Sequence, residues 1–314
     1  MRSISILVYL DSGARTGRRV LSSLKTNCNK KKIKFKVYKT EYKNHAKTLI
    51  KTVIEESRKK EKDRIVIIGG DGTLNECMST LSKLKEKIPI SYISAGTGND
   101  FSRALNLTED CNRFINNLFE ADKREIEFLK IKDKEENNYV AMNGVGIGFD
   151  AMIAHMTNES KKKKLLSKFN LSSLTYKLKI ISAYINRKLF SAKIIEDDKK
   201  EKYHKNILFV SFMKNPYFGG GIKIVPTAKN DDGKISLVIA KNVNVIDLIR
   251  LIPHVLKTGK HFGKTEKLTL NTAKKFKIEI EGSSYMQTDG EINVIENSSL
   301  EINISKYPFY IVEK

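Results

Sequence analysis

The chain has 314 residues, of which 40% are hydrophobic and 30% charged, a composition typical of a globular protein long enough for two domains. Its formal net charge of +22 indicates anionic partners, unless it only reflects a lysine-rich composition. No stretch reaches the roughly 18 apolar residues of a membrane span, and the N-terminal apolar run reads as a first strand rather than a signal peptide. Three cysteines without metal or disulfide spacing favour a reducing, cytoplasmic setting.

The first part of the chain alternates between strand-like and helix-like segments. Apolar runs typical of strands occupy residues 3–10, 32–39, 64–68 and 88–94, and helical patterns occupy residues 18–30, 44–60, 74–86 and 101–105. Helical spacing is clearest in residues 44–60, where apolar side chains recur every three or four positions. This alternation predicts an α/β domain with a mainly parallel sheet over residues 1–124, with ligands beyond the carboxyl ends of its strands.

From residue 125 onward, short strand-like segments separated by turn residues dominate the sequence. This density predicts an antiparallel β-sandwich over residues 125–303. We predict helical insertions at residues 152–169, 173–190 and 245–259, where the patterns become helical.

Two loops of the first domain share one construction, IVIIGGDGTLNE at residues 65–76 and ISYISAGTGNDF at residues 90–101. In each, an apolar strand is followed by glycine, threonine and aspartate and then by the start of a helix. Glycines let backbone N–H groups approach phosphate oxygens, and a helix N-terminus adds its dipole. An aspartate at a strand end suits Mg²⁺, directly or through water. The pair predicts a nucleoside triphosphate site, although no Walker lysine motif is present.

These two loops resemble those of the bacterial diacylglycerol kinase and sphingosine-kinase-like lipid kinase family. The resemblance extends through NGVGIGFDA, GGGIKIVPTAKNDDGKISLVIA and QTDGE in the second half. It implies a phosphofructokinase/NAD-kinase-like fold, in which residues 304–314 return to the first domain as a strand. It also implies ATP- and Mg²⁺-dependent phosphorylation of the hydroxyl of a lipid such as diacylglycerol, which forms phosphatidic acid in phospholipid metabolism.

The resemblance also implies roles for individual residues. The nucleotide would contact Ser12, Gly13, Thr40, Gly69, Gly70, Asp71, Gly72, Thr73, Leu74, Asn75, Glu76 and Thr97. Asp71 and Asp100 would hold the nucleotide magnesium through water. A second, structural magnesium would bind the carboxylate of Asp232 and the carbonyl oxygens of Lys229 and Lys234.

The QTDGE segment would supply the catalytic carboxylates. The resemblance implies that Glu291 is the general base, with Asp289 nearby. Independently of the family, Asp289-Gly290-Glu291 between two alternating segments predicts a tight hairpin. Phosphoryl transfer from ATP needs a carboxylate that accepts the proton of the attacking hydroxyl, which a constrained hairpin can present.

Two departures from the family pattern leave other functions open. The family's Asn-Pro-x-Ser-Gly is here Tyr9-Leu10-Asp11-Ser12-Gly13, and the proline before the Gly-Thr loop is Ser94. One alternative is an NAD kinase-like enzyme, which shares GGDGT, although GTGNDF and KNDDGK argue against it. The other is a catalytically weak lipid- or nucleotide-binding regulator.

The expected partner is a lipid substrate at a membrane surface, approached by a cytoplasmic, peripherally associated protein with homodimerisation open. The basic segment at residues 160–169 is either membrane-facing or a solvated helix face. Aromatic residues do not interleave with the basic runs, so we expect no nucleic-acid binding.

Overall fold

A computed structural model describes residues 2–59, 63–149, 151, 184, 187–255, 259 and 261–314. The chain divides into two compact units. The first comprises Met1–Phe128 with Ser305–Lys314, and the second comprises Leu129–Ile304. The boundary predicted after residue 124 falls inside the strand Lys123–Asp133.

The first unit is a parallel sheet with helices. Its strands β1 (Ser3–Val8), β2 (Lys34–Lys39), β3 (Asp63–Gly69) and β4 (Ile90–Ser94) stand in the order β2-β1-β3-β4. Its helices are α1 (Ser12–Lys30), α2 (His45–Arg58), α3 (Asp71–Leu81), α4 (Asp100–Ala104) and α5 (Cys111–Asn117). All neighbouring pairs among these four strands are parallel, so their carboxyl ends lie along one edge.

Burial explains why the sheet forms where the apolar runs occur. Ile4, Ile6 and Val8 of β1 pack with the buried face of α1, including Leu24, in one apolar core. The last five residues of β1 are buried, as expected for a parallel strand covered on both faces. The α/β prediction for this part of the chain is confirmed.

The C-terminal residues of the chain belong to the first unit. Phe309 lies opposite Ile90 of β4 in parallel register, and the Tyr307 hydroxyl donates to the Ile88 carbonyl at 3.0 Å. Further along, the amide of Thr108 donates to the Val312 carbonyl at 2.9 Å.

The second unit is built from antiparallel strands. They are β5 (Lys123–Asp133, which begins in the first unit), β6 (Asn138–Ala141), β7 (Gly144–Gly148), β8 (Phe190–Glu196), β9 (Lys200–Met213), β10 (Tyr217–Phe218), β11 (Ile222–Lys223), β12 (Ile235–Lys241), β13 (Leu268–Ala273), β14 (Lys275–Glu281), β15 (Ser283–Thr288), β16 (Glu291–Glu296) and β17 (Ser299–Tyr310, which ends in the first unit). Alternating side chains of these strands fill one core, among them Val145, Phe212, Leu237 and Ile278. The antiparallel β-sandwich prediction is confirmed.

Three local features differ from the patterns read in the sequence. The sequence YVAMNGV at residues 139–145 has the pattern of one strand, but the structure splits it into β6 and β7. Helix α5 was not expected, and α3 ends at Leu81 rather than near residue 86. Helix α6 (Val245–Pro253) occupies the predicted insertion at residues 245–259, whereas the insertions at residues 152–169 and 173–190 lie almost entirely outside the described residues. Among the described helices, none is long and apolar enough to cross a membrane.

Candidate active site

The N-terminus of α3, where β3 ends, is open to a ligand. Gly70 is its extended N-cap residue, with ψ near 180°, and no side chain of the described residues caps the first turn. The N-cap residues of α1, α2 and α4 likewise make no side-chain cap bond, whereas Asp110 caps α5 and Asn244 caps α6. A Cβ atom added to Gly72 would meet nothing within 4 Å, so space remains beside the first-turn amides. Uncapped N–H groups at a helix start are a ready-made anion site.

The second glycine loop lies directly against this helix start. A Cβ on Gly96 would come within 2.7 Å of the Gly70 Cα atom, and a Cβ on Gly70 within 3.2 Å of the Gly96 Cα atom. The Gly96 amide donates to the Asn99 side-chain oxygen at 2.9 Å, and Asn99 is left-handed, with φ of 56°. The two loops therefore require glycine to approach each other, and they form one surface.

Asp71 joins the two loops through its carboxylate. Its oxygens accept the backbone N–H groups of Asp100 and Phe101, each at 3.1 Å, and so cap α4. The side chain of Asp100 begins α4 and is 5% exposed. Each carboxylate oxygen has two lone pairs, so Asp71 can still accept a hydrogen bond from a metal-bound water. The carboxylate oxygens of Asp71 therefore fit a Mg²⁺ ion that is bound through water, without direct ligation.

The first loop of the chain meets the same surface. Gly13 has φ of +55°, and a Cβ atom there would stand 2.3 Å from the Ala95 carbonyl oxygen. A Cβ on Gly70 would be 3.5 Å from the Ser12 hydroxyl oxygen. The loops after β1, β3 and β4 therefore converge, as carboxyl-end loops of a parallel sheet do. Ser12, Gly13, Gly70 and Asp71 are brought together although the family's Asn-Pro is absent.

The other predicted nucleotide residues divide into surface and interior positions. Thr97 is exposed in the second loop, and Thr40 follows β2 with its amide bonded to the Val8 carbonyl at 2.9 Å. The Thr73 side chain packs against Gly69, where a Cβ would approach it to 2.5 Å. Leu74 is fully buried, so the structure places its side chain in the core.

Two further residues of α3 face the neighbouring helix or the interior. Glu76 accepts the Asn44 amide at 3.0 Å at the start of α2. The Asn75 side chain is 7% exposed. Both positions help to place α3, whichever ligand binds at its N-terminus.

The Asp289–Gly290 turn confirms the predicted hairpin between β15 and β16. Both residues have positive φ, 48° and 91°, the combination that a two-residue type I′ turn requires. The Asp289 carboxylate accepts the amides of Met142, Asn143 and Gly144, at 2.5, 2.9 and 3.2 Å. Met142 and Asn143 are the two residues between β6 and β7, so Asp289 binds the backbone where these strands are separated.

Glu291 occupies the first position of β16, opposite Thr288, and is partly exposed. Asp289 is committed to backbone amides, so of the two predicted catalytic carboxylates Glu291 is the one suited to proton transfer. The role itself remains a prediction.

The turn predicted to bind a structural magnesium ion already holds a cation. The Lys214 side chain is 0% exposed, and its ammonium donates to the Asp232 carboxylate at 2.9 Å and to the Lys234 carbonyl at 2.7 Å. Burial alone would raise the pKa of Asp232, but hydrogen bonds from Lys214 and the Lys234 amide lower it below its usual range. Lys229 is exposed. The sequence gives one indication of this role of Lys214, because the lysine directly follows an apolar strand.

Two family models match the chain in succession. Residues 3–131 match the diacylglycerol kinase catalytic domain, and residues 143–303 match the YegS C-terminal NAD kinase beta sandwich-like domain. The chain therefore belongs to the diacylglycerol kinase-like family of lipid kinases.

Individual relatives agree with this family, and solved structures share the fold. YtlR of Bacillus subtilis strain 168, provisionally named a lipid kinase, is 29% identical over 291 residues, 90% of each chain. The diacylglycerol kinase of Staphylococcus haemolyticus strain JCSC1435 is 26% identical over 292 residues, 93% of this chain and 83% of the relative. A crystal structure from Bacillus anthracis strain Sterne, provisionally titled a diacylglycerol kinase, has a TM-score of 0.71 at 19% identity. The match covers 99% of this chain and 96% of the solved chain. At this identity, it establishes a shared fold and nothing about activity.

Proposed function

We propose that this protein is an ATP- and Mg²⁺-dependent lipid kinase that phosphorylates the hydroxyl of a lipid such as diacylglycerol, forming phosphatidic acid. The observation that carries the proposal is the uncapped N-terminus of α3 beside the Gly96 loop, with Asp71 shared between them. This arrangement suits a phosphate chain and a hydrated metal ion at the same edge of the sheet. Family membership supplies the reaction class.

The glycine loops would bind the phosphates through backbone groups. The free N–H groups at the start of α3 would donate to phosphate oxygens, and the dipole of the helix would favour their negative charge. Asp71 and Asp100 would hold the metal-bound water. Bound Mg²⁺ would neutralise part of the phosphate charge during transfer.

The Glu291 carboxylate would accept the proton of the attacking lipid hydroxyl. A hydroxyl is a poor nucleophile until its proton has an acceptor, and a positioned base typically contributes about 10²–10⁴-fold to the rate. The Asp289 carboxylate, bonded to three amides, would fix the turn that carries Glu291. Asp289 is thus proposed as a positioning residue.

The decisive experiment is transfer of radiolabelled phosphate from ATP into a total membrane lipid extract, with diacylglycerol and NAD tested separately. We expect a labelled lipid, and labelled phosphatidic acid when diacylglycerol is the acceptor. Label in NADP would favour the NAD kinase-like alternative. ATP binding without transfer to any acceptor would favour a regulator.

We also propose that the enzyme works in the cytoplasm at the membrane surface, because its acceptor is a membrane lipid and its charge is +22. Phosphorylation would then occur at the headgroup level, without insertion of the protein. Homodimerisation is a separate proposal, which light scattering of the purified chain would test.

A further inference from the structure

A fully buried lysine stands at the end of β9. Lys214 directly follows Met213, the last residue of that strand, and its ammonium contacts the turn that precedes β12. The Asp232 Oδ1 atom accepts both the Lys214 ammonium at 2.9 Å and the Lys234 amide at 3.0 Å. The Lys234 carbonyl accepts the same ammonium at 2.7 Å. A buried charge of this kind persists only where fixed acceptors compensate its lost hydration.

These acceptors are the oxygens expected to ligate a structural magnesium ion. Of the three expected ligands, the Asp232 carboxylate and the Lys234 carbonyl both hold the ammonium. Mg²⁺ requires short, near-octahedral oxygen contacts of about 2.0–2.1 Å, and the positive charge of an ammonium hydrogen-bonded to the same groups opposes a second cation there. The residues present therefore do not fit a divalent ion at this turn.

We propose that the Lys214 ammonium is the built-in cation of this turn, so that the second unit needs no structural divalent metal. The side chain supplies a positive charge at the same oxygens, tethered to the strand that it follows. The turn is then closed whatever the metal concentration, whereas a metal-bound turn would open when the ion is removed.

The same lysine also supports the loop that holds Asp289. The Lys214 amide donates to the Asn143 carbonyl at 2.8 Å, and the Asn215 side chain donates to the Met142 carbonyl at 2.8 Å. Met142 and Asn143 are two of the residues whose amides bind the Asp289 carboxylate. The turn and this loop are therefore joined at Lys214, the turn through its ammonium and the loop through its backbone amide. The proposal concerns stability and does not depend on the reaction catalysed.

The test is thermal unfolding of the full chain without nucleotide, in EDTA and in about 10 mM MgCl₂. We expect the wild-type Tm to be the same in both. Lys214→Met should lower the Tm in EDTA by roughly 5–15 °C, because it leaves a carboxylate without its charge partner in a packed site. Magnesium should restore part of this loss by binding the vacated oxygens.

Two further variants serve as controls. Lys267 pairs with Asp247 in the same unit but is 35% exposed, so Lys267→Met should change the Tm little and without regard to magnesium. The double variant Lys214→Met/Asp232→Asn removes both charges and should recover stability without a magnesium response.

Either of two results would overturn the proposal. One is a wild-type Tm that falls when EDTA removes metal, which shows that a structural ion is present despite the lysine. The other is a Lys214→Met protein whose Tm does not rise with magnesium. If Lys214→Met does not fold, the wild-type comparison in EDTA and magnesium still decides the first point.

Discussion

Asp71 caps a helix, and we propose that the same carboxylate also serves a metal ion. It caps α4 through the amides of Asp100 and Phe101, and it lies at the start of α3, where a hydrated metal is proposed. Asp110 offers a matched comparison, because it caps α5 through the amides of Asn112 and Arg113 but belongs to no glycine loop. Comparing the two separates capping from catalysis.

We therefore predict that Asp71→Ala and Asp110→Ala lose similar stability but differ in activity. Removing a cap costs about 1 kcal/mol, or roughly 2–4 °C in Tm for a chain of this size. Asp71→Ala should retain less than about a tenth of Mg·ATP-dependent turnover, whereas Asp110→Ala should stay near wild type. Calorimetry and phosphate transfer measure the two effects, and equal turnover in both variants would mean that Asp71 is only a cap.

The two carboxylates of the QTDGE segment should respond differently to loss of charge. Glu291→Gln keeps the shape and removes the basicity, so we predict a drop in kcat of about 10²–10⁴-fold with ATP affinity nearly unchanged. Asp289→Asn places an amide against three N–H donors, so it should lower the Tm and, by loosening the turn that carries Glu291, lower kcat less than Glu291→Gln does. Steady-state kinetics and thermal unfolding distinguish these outcomes. Wild-type turnover by Glu291→Gln on the true acceptor would remove Glu291 as the base.

At the scale of elements, periodicity in the sequence is sufficient to predict the sheet and its larger helices, because buried residues recur regularly along them. It does not reveal the break between β6 and β7, where the backbone amides bind Asp289, more than 140 positions further along the chain. The glycine loops can be predicted from the sequence because their local backbone geometry restricts which residue types fit. The buried position of Lys214 has only a weak signal, its place after an apolar strand, because its acceptors are distant in sequence and a lysine normally indicates a surface position.

The β15–β16 hairpin provides a prediction at this scale. Gly290 and Gly282 both have positive φ, 91° and 85°, and a Cβ atom at either meets nothing within 4 Å. Alanine at either position should therefore cost similar stability, about 1–2 kcal/mol, from left-handed backbone strain alone. We predict that Gly290→Ala also lowers kcat several-fold, because it displaces Glu291, whereas Gly282→Ala does not. If Gly290→Ala and Gly282→Ala have equal Tm and equal kcat values, the hairpin turn has no role in catalysis.

At the scale of the whole molecule, basic residues outnumber acidic ones by 58 to 36. Many acidic side chains are used in exposed ion pairs such as Lys36–Glu56 and Arg124–Glu313, which stabilise little by themselves. The excess positive charge is therefore available to act at a distance on an anionic surface. A lysine near an anionic leaflet contributes about 1 kcal/mol, so a few correctly placed lysines are enough for reversible binding.

We predict that co-sedimentation with vesicles increases with the fraction of anionic lipid and decreases with salt. Raising the ionic strength from 0.1 to 1 M shortens the screening length from about 10 to 3 Å, which should release a protein held by charge alone. Turnover on vesicle-embedded acceptor should follow binding, while turnover on the same acceptor in neutral detergent micelles should not depend on lipid charge. Because both assays use one enzyme and one acceptor, a parallel loss in micelles would indicate that salt inhibits catalysis itself. If vesicle binding is independent of both lipid charge and salt, the +22 charge reflects only a lysine-rich composition. Membrane docking would then depend on apolar contacts.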